Sequence, residues 1–149
     1  MIRGEYNLWY RDQHICVPNH FTPTGMQQVV EAAFNQDPTS WYVGLCNNAP
    51  SDSDALAEIV EPTVGVNGYA RVALDMDSTD WPTIGVVNNE IRVVSKNVVF
   101  TPTGAGFDVA TSRLFITDGT DVISISSLLP LGLIAYTAEL TTNYTLFFR

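Results

Sequence analysis

Basic residues are scarce. Seven Lys and Arg stand against sixteen Asp and Glu, a formal net charge of −9, and only 15% of the 149 residues are charged. A field of that sign repels a phosphate backbone, so nucleic acid is not an expected partner. Cysteine is limited to Cys16 and Cys46 with no CxxC spacing, which fits small buried hydrophobes in a reducing compartment better than a disulfide framework. Histidine is limited to His14 and His20; a zinc centre or a triad would need one of them beside Cys16 plus partners from elsewhere, and although His14 and Cys16 alternate and so share one strand face, two ligands are not a site. No Gly-x-Ser-x-Gly elbow and no phosphate-binding loop occurs. The longest apolar run, 128–135, is broken by Pro130 and falls short of the ~20 residues that span a bilayer. Residues 1–11 carry Arg3, Glu5 and Arg11 around a short aromatic run and lack the apolar stretch of a secretory signal, so the expectation is cytoplasmic synthesis without a signal peptide.

What is present suits one packed domain. A chain of 149 residues with 46% apolar content buries roughly 70% of its unfolded surface, enough for a core without staples. The low charge leaves the surface to Thr, Asn, Ser and Gly, which suits contact with other proteins. One helix is predicted over about 24–36: Thr24 and Gln27 stand at capping-box spacing, Met26, Val29, Val30, Ala33 and Phe34 follow at helical intervals, and Asp37-Pro38 stops it. No second helical pattern of comparable quality exists to cover that stripe, so a sheet must.

Elsewhere the pattern is of short β-branched and aromatic runs, at 40–46, 69–75, 84–87, 91–94, 97–100, 113–117, 122–126, 132–140 and 144–148. Asn88-Asn89 and Asp118-Gly119 each separate two runs and favour the positive φ of tight hairpins. The predicted fold is mainly β: an antiparallel β-sandwich or jelly-roll-like domain over 21–149 with one short N-terminal helix. Parallel sheets are disfavoured because crossover helices are missing. Residues 1–20 show no clean period and read as an N-terminal arm whose Tyr6, Trp9, Tyr10 and Ile15 dock on this domain or on a neighbouring copy. Phe-Thr-Pro-Thr-Gly occurs at 21–25 and again at 100–104, and unlike flanks point to shared turn chemistry rather than duplication.

The candidates for chemistry are few. Asp75, Asp77 and Asp80 crowd one turn and Asp118 and Asp121 another, and two acids across a cleft would serve glycoside hydrolysis, but aspartates in turns usually accept their own backbone N–H groups. Asp52, Asp54 and Glu58, or Asp118, Thr120 and Asp121, do not follow the EF-hand ligand order. No catalytic residue, metal or cofactor is expected. Trp41 opens an alternating run and reads as core; Trp81 precedes Pro82 in a polar loop and is the candidate surface aromatic for a sugar contact. Arg71 alternates with apolar residues and is expected to pair with Glu58 or Glu61 as a loop-to-sheet tether. The apolar terminus with Phe147 and Phe148 must be held in the sheet or across a subunit boundary.

The succession 21–25 opening a helix, Trp41-Tyr42-Val43-Gly44-Leu45, a Ser/Asp loop with Glu58, Gly68-Tyr69-Ala70-Arg71, Asn97-Val98-Val99-Phe100, Ile116-Thr117-Asp118-Gly119 and a closing apolar strand resembles small virion proteins of tailed bacteriophages, often labelled tail-fibre or decoration proteins. The likeness covers 20–149. It implies a non-enzymatic β-rich module bound to a capsid or tail lattice. The sequence has no heptad array, Gly-X-Y run or repeat with which to build a fibre shaft, so the expectation is a capsid decoration (cement) protein. Its implied place is the outer surface of the head shell, as a homotrimer on the major capsid protein lattice, with 1–20 as the contacting element. No nucleic acid or membrane partner is expected. The alternative is a tail-tip or tail-fibre-associated receptor-binding module that contacts carbohydrate through Trp81 and the 47–67 loop.

Overall fold

A computed structural model describes residues 2–10, 13–25, 28–29, 40–49, 51, 55–129 and 138–148. Among these residues ten strands form: β1 (Ile2–Tyr10), β2 (Gln13–Phe21), β3 (Ser40–Cys46), β4 (Val72–Asp75), β5 (Thr83–Val87), β6 (Glu90–Val94), β7 (Val98–Phe100), β8 (Arg113–Thr117), β9 (Val122–Ser126) and β10 (Leu140–Phe148). All described pairings are antiparallel and belong to one sheet of order β4-β3-β8-β9-β2-β1-β10-β6-β5, with β7 also on β10. The sheet curls into a half-barrel. The mainly β, antiparallel expectation holds, while a division into two stacked sheets or a jelly roll is not what the hydrogen bonding draws. The outermost strands, β4 and β5, are consecutive in sequence.

The predicted arm lies in the middle of this sheet. β1 pairs with β2 on one side and with β10 on the other, Tyr6 facing Val17 and Tyr144. Its inward positions are Gly4, Tyr6, Leu8 and Tyr10, all buried, and its outward ones Arg3, Glu5, Asn7 and Trp9. That is the period of two expected of a strand, disguised because a glycine stands among the inward residues and a tryptophan among the outward ones. Gly4 is required: a Cβ there would overlap the Tyr144 hydroxyl and the Asn19 amide.

Local signals account for the rest. Thr22 caps the helical residues 23–25 and 28–29, its Oγ1 accepting the Gly25 N–H at 3.0 Å, with Pro23 in the first helical position. The cap is thus two residues earlier than the Thr24 box predicts. Among the described residues the predicted helix is only this short turn; the rest of the predicted 24–36 span, and all of the 132–140 run before Ala138, lie outside the described residues. The second Phe-Thr-Pro-Thr-Gly copy makes a turn in which the Gly106 N–H donates to the Thr103 carbonyl at 3.1 Å, so one phrase serves two structures. Asn88 and Asn89 take φ of 53° and 62°, as a tight β5–β6 hairpin demands, and Gly119 takes 100° between β8 and β9.

The main core fills the concave side with a run of rings: Phe21 and Trp41 at 6.4 Å, Trp41 and Trp81 at 6.1 Å, Trp81 and Tyr144 at 6.4 Å, and Tyr144 and Tyr6 at 4.8 Å. A smaller cluster of Cys46, Ile59, Phe115, Val122 and Ile125 lies apart from it, with Leu56 packed alongside. Part of the 47–67 segment therefore packs against β3, β8 and β9. Asn48 fixes that segment, donating to the Glu58 carbonyl at 2.7 Å and accepting the Val60 N–H at 2.9 Å. Burial pushes the Cys46 thiol up to about 12, while Cys16 is exposed on β2.

Candidate functional site

The acids serve the fold. Asp77 Oδ1 accepts the N–H groups of Thr79 and Asp80, and Asp118 Oδ1 those of Thr120 and Asp121, each at 2.7–2.9 Å. Asp80 is buried and binds the Lys96 ammonium at 2.7 Å, and the hydrogen bond from Lys96 holds its carboxyl below the usual range. Among the described residues no three His, Cys, Asp or Glu side chains gather where they could hold a metal ion. Asp52 and Asp54 lie outside the described residues. His14 and Cys16 do share a face, but His14 stacks on Trp9 with ring centroids 4.7 Å apart and meets Asn7 Oδ1 at 3.3 Å.

The tether exists with the second of its two expected partners. Arg71 makes a forked contact with Glu61, its Nε donating to Oε2 at 3.1 Å and its Nη2 bonding Oε1. Tyr69 donates to the same carboxylate at 2.9 Å and accepts the Leu45 N–H at 3.0 Å, tying the loop to β3. Glu58 instead closes its own 3-10 turn, Leu56–Glu58, by accepting the Ala55 N–H at 2.9 Å.

Trp81 is corrected from surface to core. It is 6% exposed, edge-on to Trp41 and Tyr144, because the turn held by Asp77 and Asp80 folds the 76–82 segment inward. Of the four residues assigned to the arm, Tyr6 and Tyr10 are core, Ile15 is half-buried against it, and Trp9 alone is exposed, at 40%. Phe147 is buried between two guanidinium groups, Arg3 at 4.4 Å and Arg92 at 5.0 Å from its ring centre, and Phe148 is half-buried. Arg3 is further held by Glu90 at 3.0 Å.

Among the described residues, three surface features bear on binding. The first is the Trp9–His14 stack on the outward face of β1 and β2. The second is an apolar hollow of about 420 Å³ lined by Trp41, Met76, Trp81, Val93, Leu146 and Phe148 among others. The third adjoins the hollow: Ile84, Val86, Val87 and Ile91 on the β5–β6 hairpin are 71%, 72%, 42% and 47% exposed. The alternation of Ile84 and Val86 places both on one face, together with their cross-strand partners Val93 and Ile91. Strands at 84–87 and 91–94 are legible in the sequence, but their position at the end of the sheet is not, and with it this apolar strip is missed. The stretch 81–89 carries no charge, but neither does the buried β9, so composition gave no signal of it.

No family model, curated protein or solved structure matches the chain.

Proposed function

We propose that the protein is a non-enzymatic structural component of a tailed-bacteriophage particle, a decoration (cement) protein that seats on the outer surface of the head shell and reinforces it. The observation that carries the reading is the combination of one curled, aromatic-packed sheet with exposed apolar and aromatic side chains on its rim and outward face. Such a molecule has surfaces suited to binding and spends its acids on its own turns. Trp9 and His14, a stacked pair among the exposed residues of β1 and β2, are the contact to the major capsid protein lattice in this reading. Self-association, as a homotrimer about a capsid axis, multiplies weak contacts into avidity.

Adding purified protein to particles that lack it tests the proposal. Wild-type protein is expected to saturate the head and raise its resistance to heat, while Trp9→Ala, on the outward face of β1, keeps its fold by circular dichroism and loses most of its occupancy. Full occupancy by the variant removes Trp9 from the contact; no binding of the wild type to heads sinks the proposal.

A tail-tip receptor-binding module is the second reading, and the ring pair Trp9–His14 is what favours it, since a stacked, exposed indole can face a sugar ring. Trp81 is buried and drops out of that reading. Binding of the purified protein to host surface glycans, lost in Trp9→Ala, would select it.

A further inference from the structure

We propose that β5 is a self-pairing edge: two copies of this chain join antiparallel along Thr83–Val87 about a two-fold axis at Gly85. Among the described residues β5 is hydrogen-bonded to β6 alone and no described strand pairs with its outer row of N–H and C=O groups, and the chemistry that completes such a row is another extended strand. Edges are normally blunted by charge, proline or a bulge. Residues 83–87 contain none of these, and their register to β6 runs without a shift.

The strand matches its own copy. Pairing centred on Gly85 sets Ile84 against Val86 of the second copy, twice, on the face where both side chains are more than 70% exposed. Directly opposed β-branched pairs stabilise a sheet. On the other face Thr83 meets Val87, and the two glycines meet at the axis, where a Cβ on Gly85 would touch nothing within 4 Å and so leaves room for approach.

Charge favours this approach between copies. A chain of net −9 repels itself over most orientations, yet β5 is uncharged and β6 carries one acid, Glu90, bonded to Arg3, and one base, Arg92. The strip is locally neutral, so two strips can meet without bringing acids together. A two-fold contact closes after two chains and is independent of a head-shell location; where three-fold clusters exist it would join one to the next.

Single cysteines placed in a Cys16→Ser background test the register. Gly85→Cys puts two thiols at the axis, at a Cα separation that permits a disulfide, whereas Thr83→Cys alone puts its two thiols on opposite sides of the axis and out of reach. The expected result is rapid covalent dimer from Gly85→Cys, little from Thr83→Cys, and dimer again when Thr83→Cys and Val87→Cys proteins are mixed. Sedimentation of the unmodified protein should show mass doubling with concentration, abolished by Ile84→Lys with Val86→Lys. Equal cross-linking at 83 and 85, or a wild type that stays monomeric or associates without response to the double lysine variant, overturns the proposal.

Discussion

The β8–β9 and β5–β6 hairpins are each built from two five-residue strands joined by a tight turn, yet the first is buried on both strands and the second is exposed along β5 and half-buried along most of β6. In β8 and β9 every residue but Arg113 is buried, since the main core covers one face and Ile59 with Leu56 packs on the other. In β5 four of the five residues are exposed and Gly85 is half-buried, although Ile84, Val86 and Val87 are as apolar as Ile116 or Ile123. Strand formation and turn type are local properties of these sequences. Burial is decided by sheet position and by what lies on the outer face, and at β5 the described chain supplies no cover.

The contrast can be broken at several points. The largest effect is expected from cutting at residue 143, which removes most of β10, the strand between β1 and β6 on which the β5–β6 hairpin hangs. The protein should lose its whole folding free energy, on the order of 5–15 kcal/mol, and an unchanged melting curve would show that β10 is dispensable. Next, Ile123→Ala should cost about 2–5 kcal/mol by denaturant unfolding, whereas Ile84→Ala should stay within about 0.5 kcal/mol at concentrations where the chain is monomeric. Similar losses at both sites would mean that β5 is covered after all.

The glycines sharpen the same comparison. Gly119 needs its φ of 100°, so Gly119→Ala should destabilise by roughly 1 kcal/mol or more, while Gly85→Ala, in extended backbone with free space, should be neutral or stabilising by about 0.4–1 kcal/mol. The smallest effect concerns acid. Burial pushes the Asp118 carboxyl up, but the N–H groups of Asp121 and Thr120 and the Gln28 amide outweigh it and hold it below its ordinary value. A depressed folded value means that this contribution is complete above the unfolded pKa of about 3.9 and is lost as pH falls through the folded one. Stability should therefore decline in that acid window, and Asp118→Asn should remove the part due to the β8–β9 turn. The Asn88-Asn89 turn has no such group, so substituting it should leave the acid limb unchanged.

Much of this architecture is legible in the sequence, for reasons specific to each stretch. β3, β8 and β9 fall on the residues expected, because each is a dense apolar run bounded by turn formers. β1 and β2 are hidden by Gly4, which is inward only because Tyr144 and Asn19 fill its place, and by Trp9, an apolar side chain facing out. Those causes lie more than a hundred residues away in the chain for Tyr144, and no local pattern reports them. Trp81 misleads for the converse reason: its polar neighbours Asp77 and Asp80 suggest a solvated loop, while their carboxylates are turned to the backbone and to Lys96. The Arg71 tether could be foreseen as a pair, but the choice of Glu61 over Glu58 depends on Glu58 closing its own turn.

Imaging tailed-phage particles with and without this protein is the most direct test of the proposed head-shell location. Density for the half-barrel is expected on the outside of the head shell, with the Trp9 face of β1 and β2 turned toward the major capsid protein and β5 turned away from it. Density confined to the tail, or a head contact made by another face while Trp9 points to solvent, would contradict it.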